Sequence, residues 1–468
     1  MDFGKRRPPN GVDKSTIPKR TLAGRPPVCS QRRDAYSRTF FPSDRVDQVA
    51  HATGLVERKR KLTGPVIAET LAFWKGDALG YADICAEISL KYKIDVTKQS
   101  LAKKLAIAEK FFQDMVTKAL NEGKRLNLRA PVHIPGVGHV FIADSSVVPL
   151  KASLAAHLRG TGGNGPAASL KIHGLINLST QQFARIALTD GKTSDHSEKK
   201  AHALILQPSD LIIRDLGYFD AADLGELQSS GRFYVTRIPL SLKTFSLENA
   251  ESVDVWNVLA TTKRLGFDGI LALGEDGFKA RTIALRLPRE QARERLAAMR
   301  KEKGRELTSI EKARAKWNLY ATNLSPGQAS ATTLQRLYTW RWQIELIFKA
   351  MKSVLDIDSV KTAKCETVVM AFVWARLLYA VVLMNARSII QDATKQEIGV
   401  IRWYRRLSPQ LSTMRDLLRS GKWCALARLL IAIATKFCRP EKRQRMTTVE
   451  KIRESSGMDA LSTARSTP

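Results

Sequence analysis

Three acidic residues stand where carboxylates could act together. Asp144 closes the apolar run FIAD, Asp215 closes LIIRD, and Glu345 lies in the segment YTWRWQIELIFKAMK. Carboxylate oxygens are the ligands that hard divalent cations prefer, so these residues are candidates for a metal site. An Asp just beyond an apolar strand lies at the edge of a sheet, where loops build active sites. Such residues also often only cap turns, so neither Asp decides the question alone.

The segment around Glu345 places one acid, three cations and a phenol on one face of a predicted helix. At 100° per residue, these five side chains fall within roughly 80° of arc. They are Tyr338, Arg341, Glu345, Lys349 and Lys352. The adjacent apolar stripe consists of Trp340, Ile344, Phe348 and Met351. On geometry alone the face is either functional or a set of solvated i,i+4 ion pairs, which contribute about 0.3–0.5 kcal/mol each.

The spacing Y-(2)-R-(3)-E-(6)-K resembles the signature of bacterial insertion-sequence transposases of family four, a DDE group. DSS at 144–146 is similar to the first motif of that family, and DLGYF at 215–219 is similar to the second. Further similarity lies in HLRGTGGNGPAASLKIHGLINL, TDGKTSDH and KWNLYATNL, so the resemblance covers roughly 135–390. The four-residue spacing, with both Asp motifs in the correct order, makes this resemblance specific.

The resemblance implies an α/β fold with an RNase H-like mixed-sheet catalytic domain. It implies that Asp144, Asp215 and Glu345 hold two Mg²⁺ ions, for which Mn²⁺ can substitute. Tyr338, Arg341 and Lys352 would then bind phosphate near the transposon end, and we add Lys349 from the same face. The implied partners are double-stranded DNA, as terminal inverted repeats and as target, and a second copy of the chain in a synaptic homodimer.

Trp317, in KWNLY, precedes Glu345 by 28 residues on a predicted strand. A DNA hairpin strains the duplex, so a flipped base needs an aromatic platform, and stacking on one contributes about 1–3 kcal/mol per base. We hypothesise that Trp317 is this platform in the DNA-binding surface. A tryptophan of the β core is the alternative.

Composition agrees with a polyanionic partner. The 468 residues carry 76 Lys and Arg against 45 Asp and Glu, a formal charge of +31. An excess of this size favours nucleic acid first and an anionic membrane surface second. The five cysteines include no C-x-x-C pair, which favours a reducing compartment, and the resemblance implies that this compartment is the bacterial cytosol or nucleoid.

The length predicts two to four domains. Composition and periodicity divide the chain into six segments, and the resemblance implies that two of them are catalytic. The segments are a flexible basic arm (1–45), a helical DNA-binding domain (46–130), the first part of the catalytic domain (135–240), a mainly β insertion (241–330), the second catalytic part (331–392) and a basic helical C-terminal region (393–468). Within the helical domain, the residues after Thr97 form a basic helix that resembles the second helix of a helix-turn-helix. A plain helical bundle is the alternative.

Long helices are expected at 331–355 and 366–391. The second contains the apolar run 368–386, which is long enough to span a bilayer, but Arg376 near its centre favours a buried core helix. We therefore expect no membrane partner. Two functional alternatives to a transposase remain: a catalytically silent DNA-binding relic, and a metal-dependent nuclease of the same fold.

Overall fold

The computed structural model describes residues 41–438, apart from 59–60, 75–79, 127–133, 164, 240–241, 243, 246–254 and 263–265. Most of the predicted basic arm lies outside these residues, as does the end of the C-terminal region. The last residues assigned to the arm are helical, because the first helix begins at Ser43.

A mixed sheet forms the centre of the molecule. Its nine strands are β1 (Val140–Leu150), β2 (Ala168–Asn177), β3 (Gln182–Asp190), β4 (Leu211–Arg214), β5 (Phe233–Arg237), β6 (Thr244–Phe245), β7 (Gly266–Leu273), β8 (Phe278–Arg286) and β9 (Trp317–Thr322). Their order is β3-β2-β1-β4-β5-β9-β8-β7-β6. Strands β1, β4 and β5 are parallel, and all other neighbouring pairs are antiparallel. This arrangement confirms a mixed α/β fold.

Alternate side chains of the strands enter two separate cores, because successive strand residues point to opposite faces. On β1, Ile142 packs with the long C-terminal helices, whereas Phe141 and Ala143 join the cluster on the other face. The same alternation separates Ile213 from Ile212 on β4. The face that carries Ile142 and Ile213 is the one that also receives the candidate site.

The chain before the sheet is helical in its described residues. Its helices are α1 (Ser43–Ala52), α2 (Gly64–Ala72), α3 (Tyr81–Tyr92), α4 (Lys98–Leu105) and α5 (Ala108–Arg125). The Thr97 hydroxyl caps α4 by accepting a hydrogen bond from the Ser100 amide. Helix α4 is thus the basic helix expected from the sequence, and DNA binding by it stays a prediction.

The segment predicted to be a mainly β insertion contains as much helix as strand in its described part. Beside β6 to β9 it holds three helices, whereas α6 (Lys199–Ala203) and α7 (Ala221–Ser229) precede it. The three are α8 (Val255–Thr261), α9 (Arg289–Lys303) and α10 (Ser309–Arg314). Helix α8 was not expected within a mainly β insertion, since short apolar runs fit either structure. Trp256 and Leu259 lie three residues apart, the spacing of a helix, and both are buried.

The single helix predicted over 331–355 is two helices, α11 (Ala331–Thr339) and α12 (Trp342–Ser353). At the junction the backbone bonds run from residue i to i−3, as from Arg341 N–H to the Tyr338 carbonyl at 3.2 Å and from Ile344 N–H to the Arg341 carbonyl at 3.2 Å. This tighter winding corrects the uniform helix assumed from the sequence. Because i and i+3 eclipse in such a turn, Tyr338 and Arg341 still share a face.

The predicted core helix is confirmed as α13 (Glu366–Thr394), which ends beyond its predicted boundary. It is the one helix among the described residues that is long and apolar enough to cross a membrane, but 89% of that apolar window is buried inside the protein. The Arg376 guanidinium donates to the backbone carbonyls of Ala72, at 2.7 Å, and Trp74, so its charge ties α13 to the end of α2. Three shorter helices follow: α14 (Val400–Leu407), α15 (Leu411–Arg419) and α16 (Trp423–Phe437).

Candidate active site

Strand register brings Asp144 and Asp215 together. Parallel pairing of β1 with β4 ends at the residue pair Ala143–Arg214. The next residue along the chain is an aspartate in both cases. Asp144 lies two residues after Ile142, and Asp215 lies two residues after Ile213. Because side chains alternate along a strand, both aspartates point to the same face of the sheet as these isoleucines. Strand β1 does not end at Asp144, as the sequence suggested, but continues to Leu150 along β2 alone. Asp144 thus lies where β1 loses its neighbour on one side and becomes an edge.

Helix α12 supplies the third carboxylate because it packs directly on this face. Gly174 of β2 pairs with Asp144 and lies beneath the helix. A Cβ atom at Gly174 would stand 3.2 Å from Ile344 and 3.1 Å from Phe348, closer than side chains normally approach. Ile344 and Phe348 are buried, as their predicted apolar stripe requires. The neighbouring Glu345 lies near enough to Asp144 to act on it electrostatically.

One guanidinium joins the three carboxylates. Arg341 Nη1 lies 2.7 Å from Asp144 Oδ2, Nη2 lies 2.5 Å from Glu345 Oε1, and Nε lies 4.0 Å from Asp215 Oδ1. The Arg341 side chain is only 16% exposed, so these contacts are poorly screened by water. A solvated ion pair between Arg341 and Glu345 was the alternative to a functional face. This ion pair exists, but it belongs to the partly buried cluster.

Tyr338 holds Asp215 in its ionised form. The phenol donates to Asp215 Oδ1 at 2.7 Å. Burial, together with the charge of Asp215, raises the pKa of Tyr338, so the phenol stays protonated and remains a donor. Burial also raises the pKa of Asp215, but the Tyr338 hydrogen bond and the Arg341 charge outweigh it and leave that pKa below its usual value.

The two lysines line a cavity next to Glu345. This cavity has a volume of about 440 Å³ and is bounded by Ser145, Ser146, Glu345, Phe348, Lys349, Lys352, Ser353 and Asp358. Lys349 is exposed, whereas Lys352 Nζ donates to the Val147 carbonyl of β1 at 2.7 Å. The cavity wall thus carries two lysines and two carboxylates, and the lysines are the groups that could bind a phosphate there.

Comparison with known proteins decides the family. The family described as "Transposase DDE domain" matches residues 135–381, more than half of the chain. The chain belongs to this family. Its DDE carboxylates are thus expected among the residues already placed together, and Asp144, Asp215 and Glu345 are the three that converge on Arg341.

Several insertion-sequence transposases are similar over most of their length. The transposase of IS231F from Bacillus thuringiensis subsp. israelensis is 24% identical, over 70% of this chain and 74% of its own. The transposase of IS1151 from Clostridium perfringens is 23% identical, over 85% and 90%. A solved piggyBac transposase synaptic complex with hairpin DNA is 10% identical with a TM-score of 0.36, covering 82% of this chain and 87% of that one.

Trp317 does not lie in the carboxylate cluster of this transposase. Its side chain is 2% exposed, and its indole N–H donates to the Leu259 carbonyl of α8 at 3.1 Å. No face of the ring is open to a DNA base in this conformation. The expectation of an aromatic platform is therefore corrected to the alternative that the sequence left open, a tryptophan of the core.

Two groups that the sequence analysis missed support the loop after β4. Arg214, which precedes Asp215, is buried on the opposite face of the sheet and forms an ion pair with Asp223 of α7. Asp195 lies 3.4 Å from Lys171 Nζ, and its Oδ2 would stand 3.4 Å from a Cβ atom at Gly217. A charged residue inside the apolar run LIIRD was the available signal for Arg214, because such a charge requires a buried partner.

Burial destabilises the ionised form of Asp144. It raises the pKa of this carboxyl from 3.8 to about 6, although the Ser145 amide and Arg341 both act in the opposite direction. The side chain is 17% exposed. Because the folded protein binds this proton more tightly than the unfolded chain, the contribution of Asp144 to stability is present at low pH and is lost as pH rises through about 6.

We expect Asp144→Asn to become more stable than wild type as pH rises from 4 to 7 in the absence of divalent metal. About two pKa units correspond to an increase of about 3 kcal/mol in the difference between their free energies of unfolding. Denaturant unfolding of both proteins at several pH values measures this difference. Asp276→Asn, at an exposed position in the β7–β8 turn, is the control. A difference for Asp144→Asn that is no more pH-dependent than the control would contradict the buried-carboxylate account.

Proposed function

We propose that this chain catalyses cut-and-paste DNA transposition, cleaving DNA at transposon ends and joining the freed ends to target DNA. The observation that carries the proposal is the convergence of Asp144, Asp215 and Glu345 on the single Arg341 guanidinium. These carboxylates come from β1, from the end of β4 and from α12, so the fold itself assembles them from distant parts of the chain.

Asp144, Asp215 and Glu345 are the residues that would hold two Mg²⁺ or Mn²⁺ ions. Their donor set fits hard cations, since it consists of carboxylate oxygens at an edge of the sheet. When bound, such ions lower the pKa of an attacking water or 3′-OH and stabilise the negative charge of the leaving oxygen. Tyr338 orients one of these carboxylates through its hydrogen bond to Asp215 Oδ1, at 2.7 Å.

Cationic side chains around the triad would bind the DNA backbone. Arg341 can bind a phosphate through two parallel hydrogen bonds, whereas Lys349 and Lys352 act as point charges beside the cavity. The formal charge of +31 would attract DNA over a longer range. The proposed partners are therefore terminal inverted repeats and target DNA, within a homodimer in the bacterial cytosol or nucleoid.

The finer description of the fold is also a proposal. We assign strands β1 to β5 to an RNase H-like domain, because three antiparallel strands are extended by two parallel ones in the order β3-β2-β1-β4-β5. Strands β9 to β6 prolong that sheet from β5 and belong to the proposed insertion. The helices α1 to α5 would form the DNA-binding domain.

Purified protein, incubated with a labelled duplex of its element's end and a target plasmid, should produce both a nick at the end and a joined product. We expect both products with Mg²⁺ or Mn²⁺ and neither in EDTA, because the carboxylates alone supply no cation to the reacting phosphate. Denaturing gels measure the nick, and agarose gels measure the joined plasmid. A scrambled end of the same length is the control for sequence-specific cutting.

The other outcomes identify the two alternatives. Cleavage without a joined product, at any plasmid concentration, would indicate a metal-dependent nuclease of the same fold. Binding of the end without a nick in either metal would favour the DNA-binding relic. Cutting of end and scrambled duplex at equal rates would contradict recognition of the terminal repeat.

A further inference from the structure

Arg341 occupies the place among the three carboxylates that a metal ion would need. Its Nη1 and Nη2 contact Asp144 and Glu345 at 2.7 and 2.5 Å, and its Nε faces Asp215 at 4.0 Å. Within the described residues, no three acidic, histidine or cysteine side chains are arranged to hold a metal ion as they stand. The carboxylate oxygens are therefore oriented toward a guanidinium, which bears a single positive charge.

We propose that Arg341 is a resident counter-cation of the DDE site, which must leave the carboxylates before metal binds and which DNA draws away. The inference rests on the proposed function, since it concerns regulation of the same site. It makes metal binding and end binding mutually favourable, because a DNA phosphate gives Arg341 another partner and frees the carboxylates. Such coupling is reciprocal: bound metal must strengthen end binding by the same factor.

The chemistry of arginine suits this exchange. A guanidinium pairs with a carboxylate or with a phosphate through the same planar set of N–H groups, so either partner satisfies it. Its contacts here are also unequal, because Nε is buried and has no hydrogen-bond partner among the described residues, 4.0 Å from Asp215. The guanidinium thus leaves one of its donors unused in this position, which a bidentate phosphate contact would satisfy.

The position of Arg341 in the fold also suits a side chain with two alternative partners. It lies at the junction between α11 and α12, where i→i−3 hydrogen bonds replace the regular helical ladder. Short 3₁₀ stretches of this kind often mark functional hinges. The neighbouring cavity of about 440 Å³ lies next to Glu345 and has Lys349 and Lys352 in its wall, so it offers a phosphate both room and two cations.

The test measures metal affinity directly, without catalysis. Mn²⁺ is titrated into wild-type protein and into Arg341→Gln, and free Mn²⁺ is measured by electron paramagnetic resonance. We expect Arg341→Gln to bind Mn²⁺ at least tenfold more tightly than wild type in the absence of DNA. Lys349→Gln is the matched control, since it removes one positive charge from the same region but not from among the carboxylates. Its affinity should change much less.

The titration is then repeated with a pre-cut end duplex ending in a dideoxynucleotide, which cannot be joined. This DNA should raise the Mn²⁺ affinity of wild type at least tenfold, and that increase should largely disappear in Arg341→Gln. Equal affinities of Arg341→Gln and Lys349→Gln without DNA would overturn the proposal, and so would a DNA effect that persists undiminished in Arg341→Gln.

Glu345→Gln separates this failure from failure of the proposed function. If Glu345→Gln loses Mn²⁺ binding but Arg341→Gln gains none, the triad is the metal site and only the counter-cation role is wrong. If Glu345→Gln binds Mn²⁺ as wild type does, the triad does not hold the metal, and the proposed function itself fails. Circular dichroism of each variant checks that the fold is retained.

Discussion

Glu345→Gln should lower the rate of DNA nicking at the transposon end by at least about 10³-fold while the protein still binds that end. Glutamine keeps the size and shape of the side chain but removes the charge that would hold a cation. Loss of about 4 kcal/mol of transition-state stabilisation corresponds to a factor of about 10³, and metal ions supply several kcal/mol of it. End binding in the absence of divalent metal should persist, because phosphate contacts by Lys349, Lys352 and the rest of the basic surface do not depend on this carboxylate.

Single-turnover nicking in Mg²⁺ and an equilibrium shift assay in EDTA measure these two quantities separately. Glu302→Gln, at an exposed position on α9, is the control for loss of one acidic charge and should nick at the wild-type rate. Nicking by Glu345→Gln within tenfold of wild type would mean that Glu345 is not the third acidic ligand. Loss of both nicking and end binding would instead indicate that the substitution disturbs α12.

The three candidate carboxylates could be named from the sequence, but their proximity to one another could not be predicted from it. Asp144 and Asp215 stood out because each follows an apolar run, and family resemblance added Glu345. Their proximity depends on the parallel pairing of β1 with β4, which join residues about 70 positions apart. Local patterns do not determine such pairings. The prediction also stopped β1 at Asp144, because polar residues follow the apolar run there. Beyond Ala143 this strand lacks β4 as a neighbour, and Pro149 is tolerated at such an edge.

The helix face predicted for Tyr338, Arg341 and Glu345 was correct, although the helix geometry assumed for it was not. The prediction treated 331–355 as one regular helix, whereas the backbone tightens between α11 and α12. A step of three residues returns to the same face in a 3₁₀ turn, so Tyr338 and Arg341 remained aligned. Periodicity placed Arg341 near Glu345, but it could not show that the guanidinium also reaches Asp144 at 2.7 Å, because that contact needs the packing of α12 over Gly174.

The predictions for Trp317 and for the segment that forms α8 differ from the structure for the same reason. The segment around Trp256 belongs to the insertion that was predicted to be mainly β, so the helix that covers the aromatic ring was not expected. As a helix, this segment turns the Leu259 carbonyl toward the Trp317 indole N–H, at 3.1 Å. Arg286, opposite Trp317 in the β8–β9 register, adds a guanidinium 5.7 Å from the ring centre. Burial of the ring is thus a tertiary property that the KWNLY motif alone does not contain.

Trp317→Ala should therefore act mainly on stability, lowering the free energy of unfolding by about 3–5 kcal/mol, the usual cost of removing a buried aromatic side chain. The change leaves a cavity between α8 and β9 and an unpaired Leu259 carbonyl. Trp342→Ala is the matched control, because Trp342 is 55% exposed and its removal should change stability by less than about 0.5 kcal/mol. Denaturant unfolding and limited proteolysis of both variants measure the difference.

Reactions at low temperature, where Trp317→Ala is still folded, distinguish a core residue from a base platform. A core residue predicts that Trp317→Ala nicks and forms later products in the wild-type ratio, once the folded fraction is taken into account. A platform predicts normal stability, normal nicking and a selective loss of any hairpin product, since stacking on an extruded base contributes only after the first cut. Unchanged stability with a selective loss of hairpin would therefore restore the stacking role and require the ring to leave its buried position when DNA binds.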